Sequence, residues 1–174
     1  LIVQVVKFTS IGLIKTKYGF VGLAVEQKEF MVEGINEKGL AMAGLNFVGF
    51  ASYPTLVDNQ KSIPAYALIS SILGACSCVP EAKTMLERIC ITNESFSNDL
   101  PSPHLHWIIA DKSESITVES CADRLYIHKN PLGILTNNPP FNFKCYKTVI
   151  FAEEGSQRGS LSERLGYMLS INGF

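Results

Sequence analysis

Two asparagines stand at positions where they could donate hydrogen bonds within a chemical site. Asn46 ends the apolar run 40–45, and Asn137 follows the run 134–136. A carboxamide offers two N–H donors without charge, which suits binding of an oxyanion or a substrate carbonyl. Each asparagine taken alone is also typical of a turn or a cap. Together, with no acid or base beside them in the sequence, they predict a site that receives its nucleophile from elsewhere.

Other chemistries have weaker support in the sequence. There is no G-x-G-x-x-G or Walker pattern and no G-x-S-x-G nucleophile elbow. A histidine could pair with Cys121 or Cys145, and His104 and His106 on one strand face could form half of a metal site. The cysteines lack the paired spacing of a zinc site. We expect structural roles for these two histidines and for His128, and neither a metal nor another cofactor.

The composition limits the class of protein. The 174 residues suit a single domain, 1–174, and 47% hydrophobic with 18% charged residues argues against disorder. The net charge is −1 and no basic tract occurs, so neither nucleic acid nor an anionic membrane is an expected partner. The longest apolar run, 63–76, is too short to cross a bilayer. The five cysteines indicate reduced, mostly buried thiols in a cytoplasmic protein.

The element that must position Asn46 is a hairpin. Segments 29–35 and 40–47 are joined by a turn in which Asn36 can bond its own backbone and Gly39 can adopt a positive φ. Both faces of the second strand are apolar, which predicts a strand covered on both sides. An amide buried at Asn46 would cost about 1–3 kcal/mol unless it found partners.

The middle of the chain predicts helices and one long loop. After a polar loop at 49–62, helices are expected at about 65–76 and 80–90, as an antiparallel pair laid on a sheet. The loop 92–103 carries Phe96 and Leu100 without periodic partners. It is expected either to form the wall of a pocket or to be a loop anchored to the core.

The second half predicts an antiparallel meander. Within it, Thr117 and Glu119 alternate with apolar residues, which indicates a sheet with one more polar face. Asn137 is expected at the end of a further strand, and residues 161–169 could form a helix. The order of elements predicts an α+β layered domain rather than a parallel doubly wound sheet. The three expected strands of the meander are 105–110, 115–120 and 124–128.

The residues around these elements closely resemble the choloylglycine hydrolase family, which contains bile salt hydrolases and penicillin V acylases. The resemblance covers residues 17–143 and fades from Lys144, so 144–174 is not assigned. It implies an N-terminal-nucleophile hydrolase with an αββα four-layer sandwich, incomplete in this chain. The segments that carry the resemblance are 36–40, 43–47, 105–111, 115–119 and 133–139.

The resemblance also implies roles for individual residues. In this family the first residue is a cysteine whose thiolate attacks the amide carbon and whose α-amine is the general base. Asn46 matches a position that donates its main-chain N–H to the oxyanion, and Asn137 matches one that donates its side-chain amide. Phe96 and Leu100 match a segment that walls the steroid pocket.

The chain departs from the family pattern in one important respect. The nucleophilic cysteine, with the arginine and aspartate that follow it, is expected upstream of Leu1, and a later family arginine is missing. We therefore expect a fragment of a cytoplasmic enzyme, a homotetramer by resemblance, that deconjugates glycine and taurine bile salts. The 174-residue chain alone is expected to be inactive. Alternatives are an inactive truncated product that keeps a bile-salt pocket, or a penicillin V acylase.

Overall fold

A computed structural model of the chain describes residues 2–4, 16–25, 30–55, 61–122 and 124–142. The described residues form nine strands and two α-helices, α1 (Leu68–Ala75) and α2 (Val79–Leu86), and a 3-10 turn, Ala65–Ala67, leads into α1. None of the described helices is long and apolar enough to span a bilayer. The strands are β1 (Ile2–Gln4), β2 (Phe20–Ala24), β3 (Met31–Asn36), β4 (Ala41–Asn46), β5 (Lys61–Pro64), β6 (Ile89–Thr92), β7 (Leu105–Ala110), β8 (Ser115–Ser120) and β9 (Leu125–Lys129).

Seven of these strands form one antiparallel sheet in the order β1-β2-β3-β4-β7-β8-β9. The predicted hairpin and the three-strand meander are both confirmed, and β4 of the hairpin pairs with β7 of the meander over its full length. Because β4 and β7 run antiparallel, the end of β4 and the start of β7 lie at the same end of the sheet. This end carries Asn46.

One face of the sheet packs against the helices and forms the core. Side chains that alternate along the strands point to this face, as the period of two requires. They meet the apolar side of α1, and Trp107 and Leu73 are fully buried there. The main contributors from the sheet are Leu40, Met42, Trp107, Ile109, Ile116 and Val118.

The opposite face of the sheet is partly open among the described residues. A shallow groove of about 440 Å³ crosses β2, β3, β4 and β7, and its apolar lining includes Ala41, Ala43 and Ile108. Val21 is 36% exposed and Ile35 is 46% exposed beside it. The expectation that β4 is covered on both sides is therefore wrong among the described residues, because apolar composition alone does not show what packs on a face.

The turn of the hairpin is fixed by Asn36, which is only 5% exposed. Its Oδ1 accepts hydrogen bonds from the N–H groups of Lys38 and Leu40, each at 3.0 Å. Its Nδ2 donates to the carbonyl oxygens of Leu73 at 2.9 Å and Cys76 at 2.7 Å. Gly39 has a φ of 83°, as the turn prediction required. Asn36 thus joins the hairpin to the end of α1.

Three predictions about the bounds and types of elements also fail in the described part of the chain. The second helix ends at Leu86 instead of about 90, since β6 begins at Ile89 and pairs in parallel with β5, part of the predicted loop. Short apolar runs such as that of β6 fit a helix face and a buried strand equally well. Asn137 follows irregular backbone at 133–136 rather than a strand. The predicted helix at 161–169 lies outside the described residues.

Candidate functional site

Asn46 is the last residue of β4, and its side chain is exposed rather than buried as the sequence led us to expect. The next residue, Phe47, donates its N–H to the carbonyl of His104 at 2.8 Å, across from β4. In an antiparallel ladder, successive residues point their N–H groups to opposite sides. The main-chain N–H of Asn46 therefore points away from β7. This direction fits the expectation that Asn46 would donate through its main-chain N–H and not through its exposed side-chain amide.

Asn137 lies in the middle of a segment that we call the strap, residues 130–141. At its start, Asn130 donates from Nδ2 to the hydroxyl of Thr117 at 3.0 Å. At its end, the N–H of Phe141 donates to both carboxylate oxygens of Glu119, at 3.0 and 3.2 Å. Thr117 and Glu119 are two residues apart on β8 and share a face, so the strap is fastened twice to one strand.

The strap also contacts the chain that leaves β4. Asn138 donates from Nδ2 to the carbonyl oxygen of Val48 at 3.3 Å, and its peptide bond to Pro139 is cis. Val48 follows Asn46 by two residues, and Asn138 is next to Asn137. The structure therefore brings together the two segments that carry the candidate oxyanion donors, at one end of the sheet.

A buried histidine and a buried glutamate lie beneath these segments. His106 on β7 is fully buried, Glu119 on β8 is 2% exposed, and His106 Nδ1 lies 2.9 Å from Glu119 Oε1. The His106 ring stacks on Phe47, with centroids 4.2 Å apart and an interplanar angle of 8°. His128 Nε2 approaches the second carboxylate oxygen at 3.8 Å, and burial lowers the pKa of His128. The polar face expected for β8 is thus a buried one.

Phe96 and Leu100 lie in the predicted long loop, which folds back on itself. The carbonyl of Leu100 accepts the N–H of Phe96 at 3.0 Å. The Phe96 ring packs 5.8 Å from Phe30 and 5.1 Å from Tyr66, in an edge-to-face arrangement with the latter. Phe30 immediately precedes β3, whose start lies at the same sheet end as Asn46. The aromatic cluster of Phe30, Tyr66 and Phe96 is therefore at the end of the sheet that carries the asparagines.

The environments of His104 and of the described cysteines bear on the alternative chemistries, a Cys–His pair or a metal site. His104 is exposed and precedes β7, whereas His106 is buried in the strand, so the two imidazoles do not share one environment. Cys76 is buried, and burial raises the pKa of its thiol to about 11, which keeps it protonated and a poor nucleophile near neutral pH. The other described cysteines are half-buried and form no disulfide, namely Cys78, Cys90 and Cys121.

Sequence reasoning proposed both asparagines as site residues but missed the buried pair of His106 and Glu119 beneath their segments. It assigned His106 a structural role and treated Glu119 only as part of a polar face. The available signal was the alternation on β8, which places a carboxylate two residues after Thr117 on the face opposite Ile116 and Val118. A charged residue inside such a strand predicts a buried partner, but the partner itself comes from β7 and from the strap.

Comparison with known proteins relates this arrangement to a family. A family model for linear amide C-N hydrolases of the choloylglycine hydrolase family matches residues 4–152. A bile salt hydrolase/transferase from Lactiplantibacillus plantarum is 40% identical over 131 residues, which is 74% of this chain and 40% of that protein. A second one, from Clostridium perfringens, is 35% identical over 132 residues, again 74% and 40%. The chain thus spans about two fifths of the length of these curated relatives.

Solved structures agree with the fold. A crystal structure of a variant of conjugated bile acid hydrolase from Clostridium perfringens superimposes with a TM-score of 0.75 at 32% identity, covering 79% of this chain and 43% of that one. Penicillin V acylase from Agrobacterium tumefaciens shares the fold with a TM-score of 0.67 at 24% identity, covering 80% and 42%. These matches confirm the expected α+β fold of N-terminal-nucleophile hydrolase type. The chain belongs to the choloylglycine hydrolase family of linear amide C-N hydrolases.

Proposed function

We propose that this chain is the part of a bile salt hydrolase that supplies the oxyanion donors, Asn46 and Asn137. The observation that carries the proposal is the hydrogen bond from Asn138 to the carbonyl of Val48. It joins two segments far apart in the sequence and sets both asparagines at one end of the sheet. Relatives named bile salt hydrolase/transferase support the choice of an amide linked to a bile acid as the substrate.

The proposed chemistry is acyl transfer to a thiolate. An N-terminal cysteine, supplied from outside residues 1–174, attacks the amide carbon and places negative charge on the amide oxygen. The main-chain N–H of Asn46 and the Nδ2 of Asn137 donate to that oxygen, which stabilises the tetrahedral intermediate. The C–N bond then breaks, glycine or taurine leaves with a proton, and water hydrolyses the thioester. The α-amine of the cysteine moves the protons, which removes the need for a histidine.

The proposed substrate site uses the aromatic cluster. Phe96 and Leu100 are half-buried on one loop, and Phe96 packs on Phe30 at the sheet end that carries Asn46, so this loop offers apolar surface at that end. Ligand sites commonly combine an apolar wall with a few precisely placed polar groups. A steroid body against this wall would direct its side-chain amide towards the asparagines.

The assembly and location of the enzyme are also part of the proposal. The absence of a disulfide at the four described cysteines supports a reducing compartment, and we propose the cytoplasm. The homotetramer is proposed from the family resemblance. Light scattering on the complete enzyme would measure its mass and test this directly.

The experiment that tests the function compares substrates and polypeptides. The polypeptide that contains this chain after an N-terminal cysteine is assayed with glycocholate, taurocholate and penicillin V, and residues 1–174 alone are assayed in parallel. We expect the longer polypeptide to hydrolyse the bile salts with a higher kcat/KM than penicillin V, and the shorter one to release no product. Preferential hydrolysis of penicillin V, or turnover by residues 1–174, would contradict the proposal. Taurocholate binding without turnover by both polypeptides would instead identify an inactive product.

A further inference from the structure

We propose that Glu119 is a positioning residue that holds the strap, and with it Asn137, in register with the end of β4. The proposal rests on the proposed function, because it explains how that site keeps its geometry. Glu119 would not contact the substrate. It would act through the segments that carry the two oxyanion donors.

Glu119 joins three parts of the chain. Its two carboxylate oxygens accept the N–H of Phe141 at the end of the strap. One of them also lies 2.9 Å from His106 Nδ1 on β7. Phe141 is itself 6% exposed, and its ring lies 5.4 Å from that of His128. A single side chain thus connects β7, β8 and the strap.

The pair of His106 and Glu119 also supports Asn46, the other proposed donor. His106 stacks face to face on Phe47, which is fully buried and directly follows Asn46. The direction of the Asn46 N–H depends on where the Phe47 backbone bonds across to His104. Glu119 fixes the imidazole on which Phe47 rests, so the carboxylate influences both donors through one contact on each side.

The burial of the Glu119 carboxylate has a cost in free energy. A buried carboxylate is strongly unfavourable unless it is hydrogen-bonded and paired. Glu119 meets that requirement only when the Phe141 N–H and the His106 ring occupy their observed positions. Displacement of the strap would leave the carboxylate under-satisfied, and this penalty opposes such a movement. The arrangement therefore selects one position of the strap.

The effect on catalysis follows from the geometry of the strap. Asn137 lies between the anchors at Thr117 and Glu119, four residues before Phe141. Release of the second anchor removes the fastening on the C-terminal side of Asn137, while the first anchor and the bond from Asn138 to Val48 remain. A misplacement of about 1 Å in a reacting geometry can cost roughly 100-fold in rate. The loss should appear in kcat, since oxyanion donors act mainly in the transition state.

The test compares variants of neighbouring residues on β8. In the polypeptide with an N-terminal cysteine, Glu119→Ala is expected to lower kcat on glycocholate about 100-fold with KM near that of the wild type. Glu119→Gln should recover part of this loss, because the amide oxygen can still accept the Phe141 N–H. Val118→Ala is the matched control, since it removes a fully buried side chain on the opposite face of the same strand. It should lower Tm and leave kcat unchanged.

A second readout is independent of activity. In residues 1–174, amide hydrogen exchange at Phe141 should be slow in the wild type and in Val118→Ala, and fast in Glu119→Ala. Thr117→Val, which removes the hydroxyl at the other anchor, should leave Phe141 protected. Equal losses of kcat in Glu119→Ala and Val118→Ala, or a protected Phe141 amide in Glu119→Ala, would overturn the proposal. Absence of wild-type hydrolysis would refute the proposed function alone, because the exchange measurement would still decide whether Glu119 anchors the strap.

Discussion

The side chain of Asn36 forms four hydrogen bonds with backbone groups. Its oxygen accepts the N–H groups that close the β3–β4 turn, and its nitrogen donates to two carbonyl oxygens at the end of α1. The two carbonyls it satisfies, those of Leu73 and Cys76, belong to the last turn of α1 and to the residue after it. Helix C-termini leave such carbonyls without intrahelical partners. One side chain therefore sets how the helix meets the hairpin.

We predict that Asn36→Ala lowers the free energy of unfolding by about 2–4 kcal/mol, since it leaves buried N–H and C=O groups without partners. Urea unfolding of the chain, followed by circular dichroism, measures the change. Glu37→Ala, at an exposed position in the same turn, is the control and should have little effect. An Asn36→Ala variant as stable as Glu37→Ala would contradict this role.

The roles of the turn residues were predictable from the sequence only in part. The roles of Asn36 and Gly39 within the turn were predictable, because both follow from local backbone chemistry. The bonds from Asn36 to α1 were not, since they join residues 37 and 40 positions apart. Similarly, the sequence could propose Asn46 as a site residue but could not predict the exposure of its side chain.

At the scale of elements, Asp111 connects the turn between β7 and β8 to the start of α2. Its Oδ2 accepts the N–H of Val79, the first residue of α2, at 2.8 Å. Its Oδ1 accepts the N–H groups of Ser113 at 2.7 Å and Glu114 at 3.1 Å. The Val79 N–H is the largest of the contributions that hold the pKa of Asp111 below its ordinary value of 3.8. A carboxylate at a helix N-terminus also complements the helix dipole.

We predict that Asp111→Asn destabilises the chain by about 1 kcal/mol at neutral pH, the usual size of a lost cap. A carboxyl group with a depressed folded-state pKa stabilises the fold above its unfolded pKa. That stability is lost as the pH falls through the folded pKa. Urea unfolding between about pH 7 and 2 should therefore show a smaller acid-induced loss in Asp111→Asn than in the wild type. Glu114→Gln is the control, and an unchanged pH dependence in Asp111→Asn would contradict the prediction.

The elements divide into those with a local signal and those without one. The hairpin and the meander were predicted with nearly correct bounds, because alternation and short turns lie within a few residues. β5 and β6 were missed, since their parallel pairing joins Lys61 to Ile89 across both helices. The strap was missed for a similar reason. It has no regular hydrogen-bonding pattern of its own and is held by side chains of β8.

At the scale of the molecule, the two faces of the sheet differ. The helices cover one face, and the strap covers the β8 end of the other. The groove beside Val21 and Ile35 remains open among the described residues. The resemblance implies four layers, and the described residues provide one sheet layer and one helical layer. The assignment of 1–174 to a single domain stays a prediction.

In the proposed site, one end of this sheet holds two oxyanion donors of different kinds. Asn46 would donate its main-chain N–H and Asn137 its side-chain amide. The two residues should therefore respond differently to truncation, because alanine keeps the backbone N–H and removes the carboxamide. This contrast separates an oxyanion site from a general effect of mutation at the sheet end.

The most direct measurement is kcat on glycocholate for Asn46→Ala and Asn137→Ala in the polypeptide with an N-terminal cysteine. Asn137→Ala is expected to lower kcat about 100- to 1000-fold, the effect of removing one oxyanion donor, with KM little changed. Asn46→Ala should keep a kcat close to that of the wild type, and Tm values would verify that both variants are folded. A wild-type kcat in Asn137→Ala would contradict the account.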